Sequence, residues 1–202
     1  VYRLDVSDIL KSIGRNSIYI GALIGNWDKG GHIVSLRLKY FDEPEYENKI
    51  NWILPLFNTT SYMEMEGQQL PNLFKTDTLT IKAEVPEGIK NIKLKFVTTG
   101  HGNDEFIPRN HKVILNGKEV FNMIPWRTDC ATYRENNPAS GNFPNGMSSS
   151  DYSRSNWCPG MVVTPYEIKL ESVKTGINEI KVIIDSGDNS YWNVSGCLTG
   201  EK

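Results

Sequence analysis

The segment Val113-Ile114-Leu115-Asn116-Gly117-Lys118-Glu119-Val120-Phe121 gives the strongest local indication of the fold. Two runs containing β-forming residues flank Asn116-Gly117. This dipeptide accepts the two positive φ angles of a type I′ turn. The segment therefore predicts a β-hairpin with its turn at residues 116 and 117.

Alternation of apolar and polar residues predicts further strands on both sides of the hairpin. The predicted strands cover residues 17–24, 32–40, 49–57, 78–85, 92–98, 166–170, 177–184 and 191–198. Residues 6–13 are predicted to form a helix with Asp5 or Ser7 as its N-cap. Many strands without long helices predict an all-β chain that folds as an antiparallel sandwich or barrel.

The composition limits the class of protein. The chain has 202 residues, of which 39% are hydrophobic and 23% charged, as in an ordinary globular domain. Its net charge of −2 provides no basic surplus that would indicate binding to nucleic acid. No apolar run approaches the roughly 18 residues of a membrane-spanning helix. The sequence also lacks the glycine-rich loop of nucleotide-binding proteins and the Gly-x-Ser-x-Gly elbow of serine hydrolases.

An acidic, proline-containing stretch at residues 44–47 predicts a linker. The preceding residues 1–43 contain about two predicted strands and one helix, which are too few to close a sandwich. They either extend the following domain or belong with strands upstream of Val1. Since the chain begins at Val1 and shows no signal peptide, we expect a processed product.

Residues 126–160 form a long stretch without periodicity, and loops of this length are usually functional or disordered. The stretch contains Cys130 and Cys158, whose spacing does not match a zinc site. We predict a disulfide between them and hence an oxidising compartment, so that the protein is secreted or periplasmic. Cys197 is then expected to be a buried free thiol in the last strand.

Five polar residues that can carry chemistry lie just before the hairpin: His101, Asp104, Glu105, Arg109 and His111. Loops at strand ends are where sandwiches place binding groups. A carboxylate near a cationic side chain stays ionised, so Glu105 can orient a water molecule or accept hydrogen bonds from hydroxyl groups. The alternative interpretation is a solvated polar loop without a function.

Metal sites have weaker support. The three histidines are not closely paired, which argues against copper. Residues 185–189 lack the terminal Glu of a calcium loop, and a hairpin turn is the favoured interpretation. We therefore expect neither a metal nor a cofactor.

The segment Asp151-Tyr152-Ser153-Arg154-Ser155-Asn156-Trp157-Cys158-Pro159-Gly160-Met161 resembles the peptide-N-glycosidase F family. Members of that family carry an Asp-Arg-x-x-Trp-Cys-Pro-Gly-type segment after a Cys-containing loop rich in Asn and Pro. Shorter matches in the order of the family lie at residues 4–8, 26–27, 99–101, 104–106, 109 and 111. The resemblance is patchy but spans nearly the whole chain.

This resemblance implies two jelly-roll sandwiches side by side, with the site in the cleft between them. Residues 48–202 would form the complete second jelly roll, and residues 1–43 the closing strands of the first. The implied reaction hydrolyses the amide between the inner N-acetylglucosamine of an N-glycan and asparagine. It gives aspartate and a glycosylamine without a metal or cofactor. The implied partners are N-glycosylated peptides or proteins.

The resemblance also implies roles for individual residues. Glu105 and Arg154 fall on catalytic positions, and Glu105 would contact the inner sugar and an ordered water. The implied substrate-binding residues are Trp27, Asp28, His101, Arg109 and Trp157. Asp28 would replace a family glutamate whose own position is occupied here by Gly25. Cys130 and Cys158 fall on a family disulfide.

The principal catalytic aspartate of the family lies upstream of Val1, so we expect a separate N-terminal chain of the same precursor to supply it. One alternative is a non-catalytic protein of the same fold that binds N-glycans or glycopeptides. Another is a double jelly roll of the copper monooxygenase type, against which the sparse histidines argue.

Overall fold

In the described part of the chain, eight antiparallel strands form the fold. The computed structural model describes residues 2–9, 20–21, 33–40, 49–59, 73–137 and 141–202. The strands are β1 (Trp52–Thr59), β2 (Leu79–Val85), β3 (Lys90–Gly102), β4 (His111–Leu115), β5 (Lys118–Met123), β6 (Tyr166–Lys169), β7 (Gly176–Ile184) and β8 (Ser190–Glu201). A short helix α1 (Leu73–Thr76) precedes β2, and 3-10 helices occupy Asn103–Phe106 and Cys130–Asn136.

The strands form two four-stranded sheets. One has the order β1-β8-β3-β6 and the other β2-β7-β4-β5. All pairs of neighbours are antiparallel. Because consecutive strands alternate between the two sheets over most of the chain, this order is that of a jelly roll. The predicted all-β antiparallel sandwich is confirmed.

The hairpin predicted from Asn116-Gly117 joins β4 to β5. Both turn residues have positive φ angles, 49° at Asn116 and 83° at Gly117, as a type I′ turn requires. The Asn116 side chain also ties the turn to β7, because its Oδ1 accepts the Glu179 N–H (2.9 Å) and its Nδ2 donates to Asn178 Oδ1 (2.9 Å). The turn residue Asn116 therefore also fixes the hairpin to β7, which is distant in the sequence.

The core lies between the inner faces of the two sheets. In β3, Leu94 and Phe96 are fully buried, whereas Lys93 and Lys95 alternate with them on the outer face. The Phe96 ring meets Phe57 and Phe121 edge to face, with centroids 6.4 and 6.0 Å apart. Other fully buried core residues are Val113, Leu115, Val182 and Leu198. The period-two pattern therefore predicted which face of β3 is buried.

The other predicted strands had mixed outcomes. The strands from residue 49 onwards are confirmed with shifted ends, and β3 runs on to Gly102. The prediction at 32–40 is wrong for residues 33–40, which form no strand. Alternation alone does not make a strand, because a strand needs a neighbour for its hydrogen bonds, and no described strand pairs with this segment. Its apolar side chains are exposed, and Ile33 is 99% exposed.

Several expectations near the N-terminus fall partly outside the described residues. Of the predicted helix, residues 7–9 are helical, and Asp5 Oδ1 accepts the Ser7 N–H at 2.9 Å. Most of the predicted strand at 17–24 and the whole of the predicted linker at 44–47 lie outside the described ranges. In the described parts of the chain, no helix has the length and apolar character that crossing a membrane requires.

A test of the core uses Gly196 in β8. A Cβ at this position would lie 2.5 Å from Cζ of the Phe57 ring. We therefore expect Gly196→Ala to lower the free energy of unfolding by about 2 kcal/mol, measured by urea denaturation. Gly141→Ala is the matched control, because a Cβ there meets no heavy atom within 4 Å. Equal stabilities of the two variants would contradict this packing.

Candidate functional site

The site lies at the end of β3, where the strand leads into the 3-10 helix Asn103–Phe106. Residues 154–157 pack closely against this end. A Cβ at Gly100 would lie 2.7 Å from the Cβ of Ser155, so a glycine allows the two segments to approach. The Gly100 N–H donates to Ser155 O (3.1 Å), and the Ser155 N–H donates to Glu105 O (3.0 Å). Backbone hydrogen bonds thus bring Glu105 and Arg154 together.

Asp104 anchors the 3-10 helix to the body of the sandwich. Its buried carboxylate accepts hydrogen bonds from Arg109 Nε (2.7 Å), Trp192 Nε1 (2.9 Å) and the Gly187 N–H (3.0 Å). Burial disfavours the charged form, but these hydrogen bonds outweigh it and hold the pKa of Asp104 below its ordinary value. Gly187 belongs to the turn at residues 185–189, which here binds a side chain of the protein.

His111 is a buried part of the same network. Its Nδ1 lies 3.1 Å from Arg109 O, and its Nε2 lies 3.0 Å from Thr98 Oγ1. Because a carbonyl can only accept, Nδ1 carries the proton and Nε2 accepts from the hydroxyl. Burial lowers the pKa of His111 to about 4. Asp104, Arg109 and His111 therefore form a structural network beneath the site.

Arg154 is the centre of the candidate site and is 3% exposed. Its Nη1 forms an ion pair with Glu105 Oε1, and its Nη2 donates to Ser149 O at 2.7 Å. The guanidinium carbon lies 4.9 Å from the centre of the Phe106 ring and 4.8 Å from that of Trp157. Burial lowers the pKa of Arg154 to about 10, so the group remains charged at neutral pH and holds the Glu105 carboxylate beside it.

The stacking continues beyond Trp157. The His101 ring stacks on Trp157 with centroids 5.4 Å apart and on Tyr191 at 5.2 Å. Trp157 is also fixed by a hydrogen bond from its Nε1 to Gly100 O (2.9 Å). We call Tyr191, His101, Trp157, Arg154 and Phe106 the aromatic stack. Burial, and then the charge of Arg154, lower the pKa of His101 to about 4, so His101 is neutral.

The long stretch at residues 126–160 is tied to the site at several points. The predicted disulfide between Cys130 and Cys158 is present, with Cα atoms 5.0 Å apart. Cys158 directly follows Trp157, so the bridge anchors the backbone beside the middle member of the aromatic stack. Arg154 also forms an antiparallel bridge with Arg127, with N–O distances of 2.8 and 2.9 Å. The disulfide and the backbone bridge therefore hold Trp157 and Arg154 in place.

The structure brings together Glu105, His101, Arg154 and Trp157, four of the predicted site residues. It places Arg109 against Asp104 instead, and a role of Arg109 in substrate binding stays a prediction. Trp27, Asp28 and Gly25 lie outside the described residues. Sequence reasoning missed Phe106 and Tyr191 as members of the site. Phe106 directly follows Glu105, so its position in the sequence could have indicated it. Tyr191 lies beside His101 only because strands β3 and β8 pair in this register.

Cys197 is free, as predicted, but it is only partly buried. It lies opposite Lys95 on the outer face of the sheet, which explains its partial exposure. Burial raises the pKa of its thiol. Across the described ranges, no group of three or more His, Cys, Asp or Glu residues is arranged to hold a metal ion.

This chain is similar to known proteins in its sequence and its fold. Residues 69–199 match the family model described as peptide-N-glycosidase F, C terminal. The chain therefore belongs to the peptide-N-glycosidase F family. No curated protein matches it.

Solved structures that are similar to this chain include PNGF-II and PNGase F. PNGF-II is 45% identical over 76% of this chain, with a TM-score of 0.69, and the match covers 30% of PNGF-II. PNGase F from Flavobacterium meningosepticum, described as a glycosylasparaginase, is 16% identical over 76% of this chain, with a TM-score of 0.56 and 53% of its own length covered. The chain thus spans less than a third of PNGF-II, and its likeness to PNGase F shows the jelly-roll fold.

The low pKa of His111 predicts a pH dependence of stability. The folded state excludes a proton that the unfolded chain binds below pH 6.5. The free energy of unfolding should therefore fall as the pH drops from 6.5 towards 4. Full protonation of His111 contributes about 3 kcal/mol to this fall, and His101, whose pKa is also about 4, adds to it. NMR titration of the folded protein should show His111 still neutral at pH 5.5. A midpoint near 6.5 would contradict its burial.

The disulfide predicts a defined thiol count and a stability effect. In denaturant, the unreduced protein should expose one reactive thiol, that of Cys197, and the reduced protein three. Cys130→Ala/Cys158→Ala should lower the free energy of unfolding by roughly 3 kcal/mol, because it releases a long loop in the unfolded chain. Cys197→Ala is the control, with a change of less than about 1 kcal/mol. Three reactive thiols before reduction would contradict the bridge.

Proposed function

We propose that this chain forms the larger part of an N-glycan amidase, a peptide-N-glycosidase. The enzyme hydrolyses the amide between the inner N-acetylglucosamine of an N-glycan and asparagine. The observation that supports this most strongly is the buried Arg154 paired with Glu105 between two aromatic rings. Membership of the peptide-N-glycosidase F family makes this reaction the first to test.

The reaction needs an activated water and a fixed electrostatic environment. The oxygen of water attacks the amide carbonyl carbon, the carbon–nitrogen bond breaks, and the nitrogen takes up a proton and leaves with the sugar as a glycosylamine. The former asparagine becomes aspartate. In this proposal Arg154 keeps Glu105 ionised and fixed, and Glu105 accepts hydrogen bonds from the inner sugar and from a water molecule.

Aromatic residues beside the ion pair suit a sugar. Trp157 and His101 are partly exposed. Because their faces are occupied within the aromatic stack, a sugar would contact their exposed edges while polar groups fix its orientation. In this proposal Trp157 and His101 line the pocket of the inner sugar. Trp27 and Asp28, which lie outside the described residues, remain predicted substrate-binding residues from the family resemblance.

The proposed enzyme has two jelly rolls side by side. We propose that residues 48–202 are one jelly roll, 44–47 a linker, and 1–43 the closing strands of another. A separate N-terminal chain of the same precursor supplies the catalytic aspartate. The exposed alternating side chains of residues 33–40 suit a segment that pairs with such a chain. The disulfide favours a secreted or periplasmic protein.

A non-catalytic N-glycan-binding protein is the second candidate. In the described part of the site, Glu105 is the carboxylate beside the aromatic stack, and Arg154 already balances its charge. Such a pair can bind hydroxyl groups without performing catalysis.

The two candidates differ in the product that they leave. The chain, alone and together with the N-terminal portion of its precursor, is incubated with a denatured N-glycoprotein, and the peptides are weighed by mass spectrometry. The amidase converts the glycosylated asparagine into aspartate and needs the N-terminal portion. Retention of the glycan by both folded samples, with measurable glycopeptide binding, would replace the amidase with the binding protein.

Glu105→Gln tests the role of the carboxylate. It keeps the size of the side chain but removes its charge, so the rate of glycan release should fall by about 100-fold. The free energy of unfolding should also fall, because the buried Arg154 loses its charged partner, so the rates are compared where both variants are folded. Glu84→Gln, on the exposed outer face of β2, is the matched control and should retain full activity. Equal rates for the two variants would remove Glu105 from the site.

A further inference from the structure

The two rings that enclose Arg154 are held in different ways. Trp157 is fixed by its hydrogen bond to Gly100 O and by stacking on His101. Phe106 has no polar atom in its side chain and depends on ring packing. It meets Phe143 and Tyr152 edge to face, with centroids 5.8 and 5.3 Å apart. One side of the Arg154 environment therefore depends on residues far from Glu105 in the sequence.

Phe143 and Tyr152 belong to one folded segment, residues 141–152. The Gly146 N–H donates to Phe143 O (2.8 Å), and the Phe143 N–H donates to Met147 O (2.9 Å). The two rings pack on each other with centroids 4.7 Å apart, and the Asn145 side chain donates a hydrogen bond to the Tyr152 hydroxyl. These contacts hold Phe143 and Tyr152 together as a unit that can support another ring.

The 141–152 segment also contacts Arg154 directly. Ser149 O accepts a hydrogen bond from Arg154 Nη2 at 2.7 Å. The 141–152 segment therefore acts on the guanidinium in two ways. The Ser149 carbonyl accepts a hydrogen bond from it directly, and Phe143 and Tyr152 support the Phe106 ring that packs against it. Because the Trp157 ring also lies against the guanidinium, these contacts restrict its rotation and so orient Nη1 towards Glu105.

We propose that Phe143 and Tyr152 are positioning residues for the Arg154–Glu105 pair, acting through Phe106. The proposal rests on the amidase function for its effect on the rate, but not for its effect on Arg154. Without the two rings, Phe106 can move to another rotamer and water can reach the guanidinium. Arg154 then no longer fixes the Glu105 carboxylate. A small displacement of a catalytic group lowers the catalytic rate far more than it weakens substrate binding.

The first measurement needs no activity. Arg154 Nε is buried, so its N–H should exchange slowly and be visible by NMR, with a chemical shift set by the rings of Phe106 and Trp157. Phe143→Ala and Tyr152→Ala should each move this resonance. Tyr152→Phe keeps the ring and should leave it close to its native position.

The matched control is Tyr133→Ala. Tyr133 lies in the same disulfide-linked stretch, but its ring packs beside Arg127, 6.0 Å from the guanidinium carbon. Its removal should leave the Arg154 resonance in place. If an alanine variant fails to fold, the leucine variant at the same position takes its place, because leucine fills most of the volume without a ring.

The second measurement is kinetic and uses the chain with the N-terminal portion of its precursor. Phe143→Ala/Tyr152→Ala should lower kcat by about 100-fold and change KM by no more than a few fold. Tyr152→Phe should recover most of kcat. A wild-type protein without amidase activity would defeat the proposed function, but the NMR measurement would still decide the positioning role.

Two results would overturn the proposal. One is an Arg154 resonance that stays in place in both alanine variants, whatever their rates. The other is a displaced resonance with kcat unchanged, since the position of Arg154 would then not matter to the reaction.

Discussion

The burial of the Arg154 guanidinium is the constraint on which the rest of the site depends. Placing a charge in the interior is unfavourable unless partners replace water. Here the partners are the Glu105 carboxylate, the Ser149 carbonyl and the faces of two aromatic rings. Each partner comes from a different part of the chain or from a different side of the group. Arg154 can therefore be stable in this position only when several segments are placed correctly at once.

The jelly roll provides that placement through rigid contacts below the site. The Asp104 carboxylate accepts hydrogen bonds from Arg109, Trp192 and Gly187 and so fixes the segment that carries Glu105. From the other side, the disulfide at Cys158 fixes the segment that carries Arg154 and Trp157. The catalytic candidates thus lie between a buried polar network and a covalent bridge. These anchors restrict the movement of the loop segments that carry the candidate catalytic side chains.

The sequence predicted the features that depend on neighbouring residues. The Asn116-Gly117 turn and the buried face of β3 follow from local chemistry and from the two-residue period. Features that depend on register were not accessible: the stacking of Tyr191 on His101 requires the β3–β8 pairing. Spacing also could not separate Glu105 from Arg109, which the fold assigns to different environments. The segment at 33–40 shows that alternation predicts a strand only where a partner strand is present.

We propose that the sugar–asparagine linkage binds at the Arg154–Glu105 pair. NMR mapping tests this most directly: the folded chain is titrated with a glycopeptide carrying the inner sugars, and with the same peptide without them. We expect sugar-dependent shifts centred on the Trp157 indole N–H and on the backbone amides of residues 103–107 and 154–158. Sugar-dependent shifts confined to another surface, with these resonances unchanged, would contradict it.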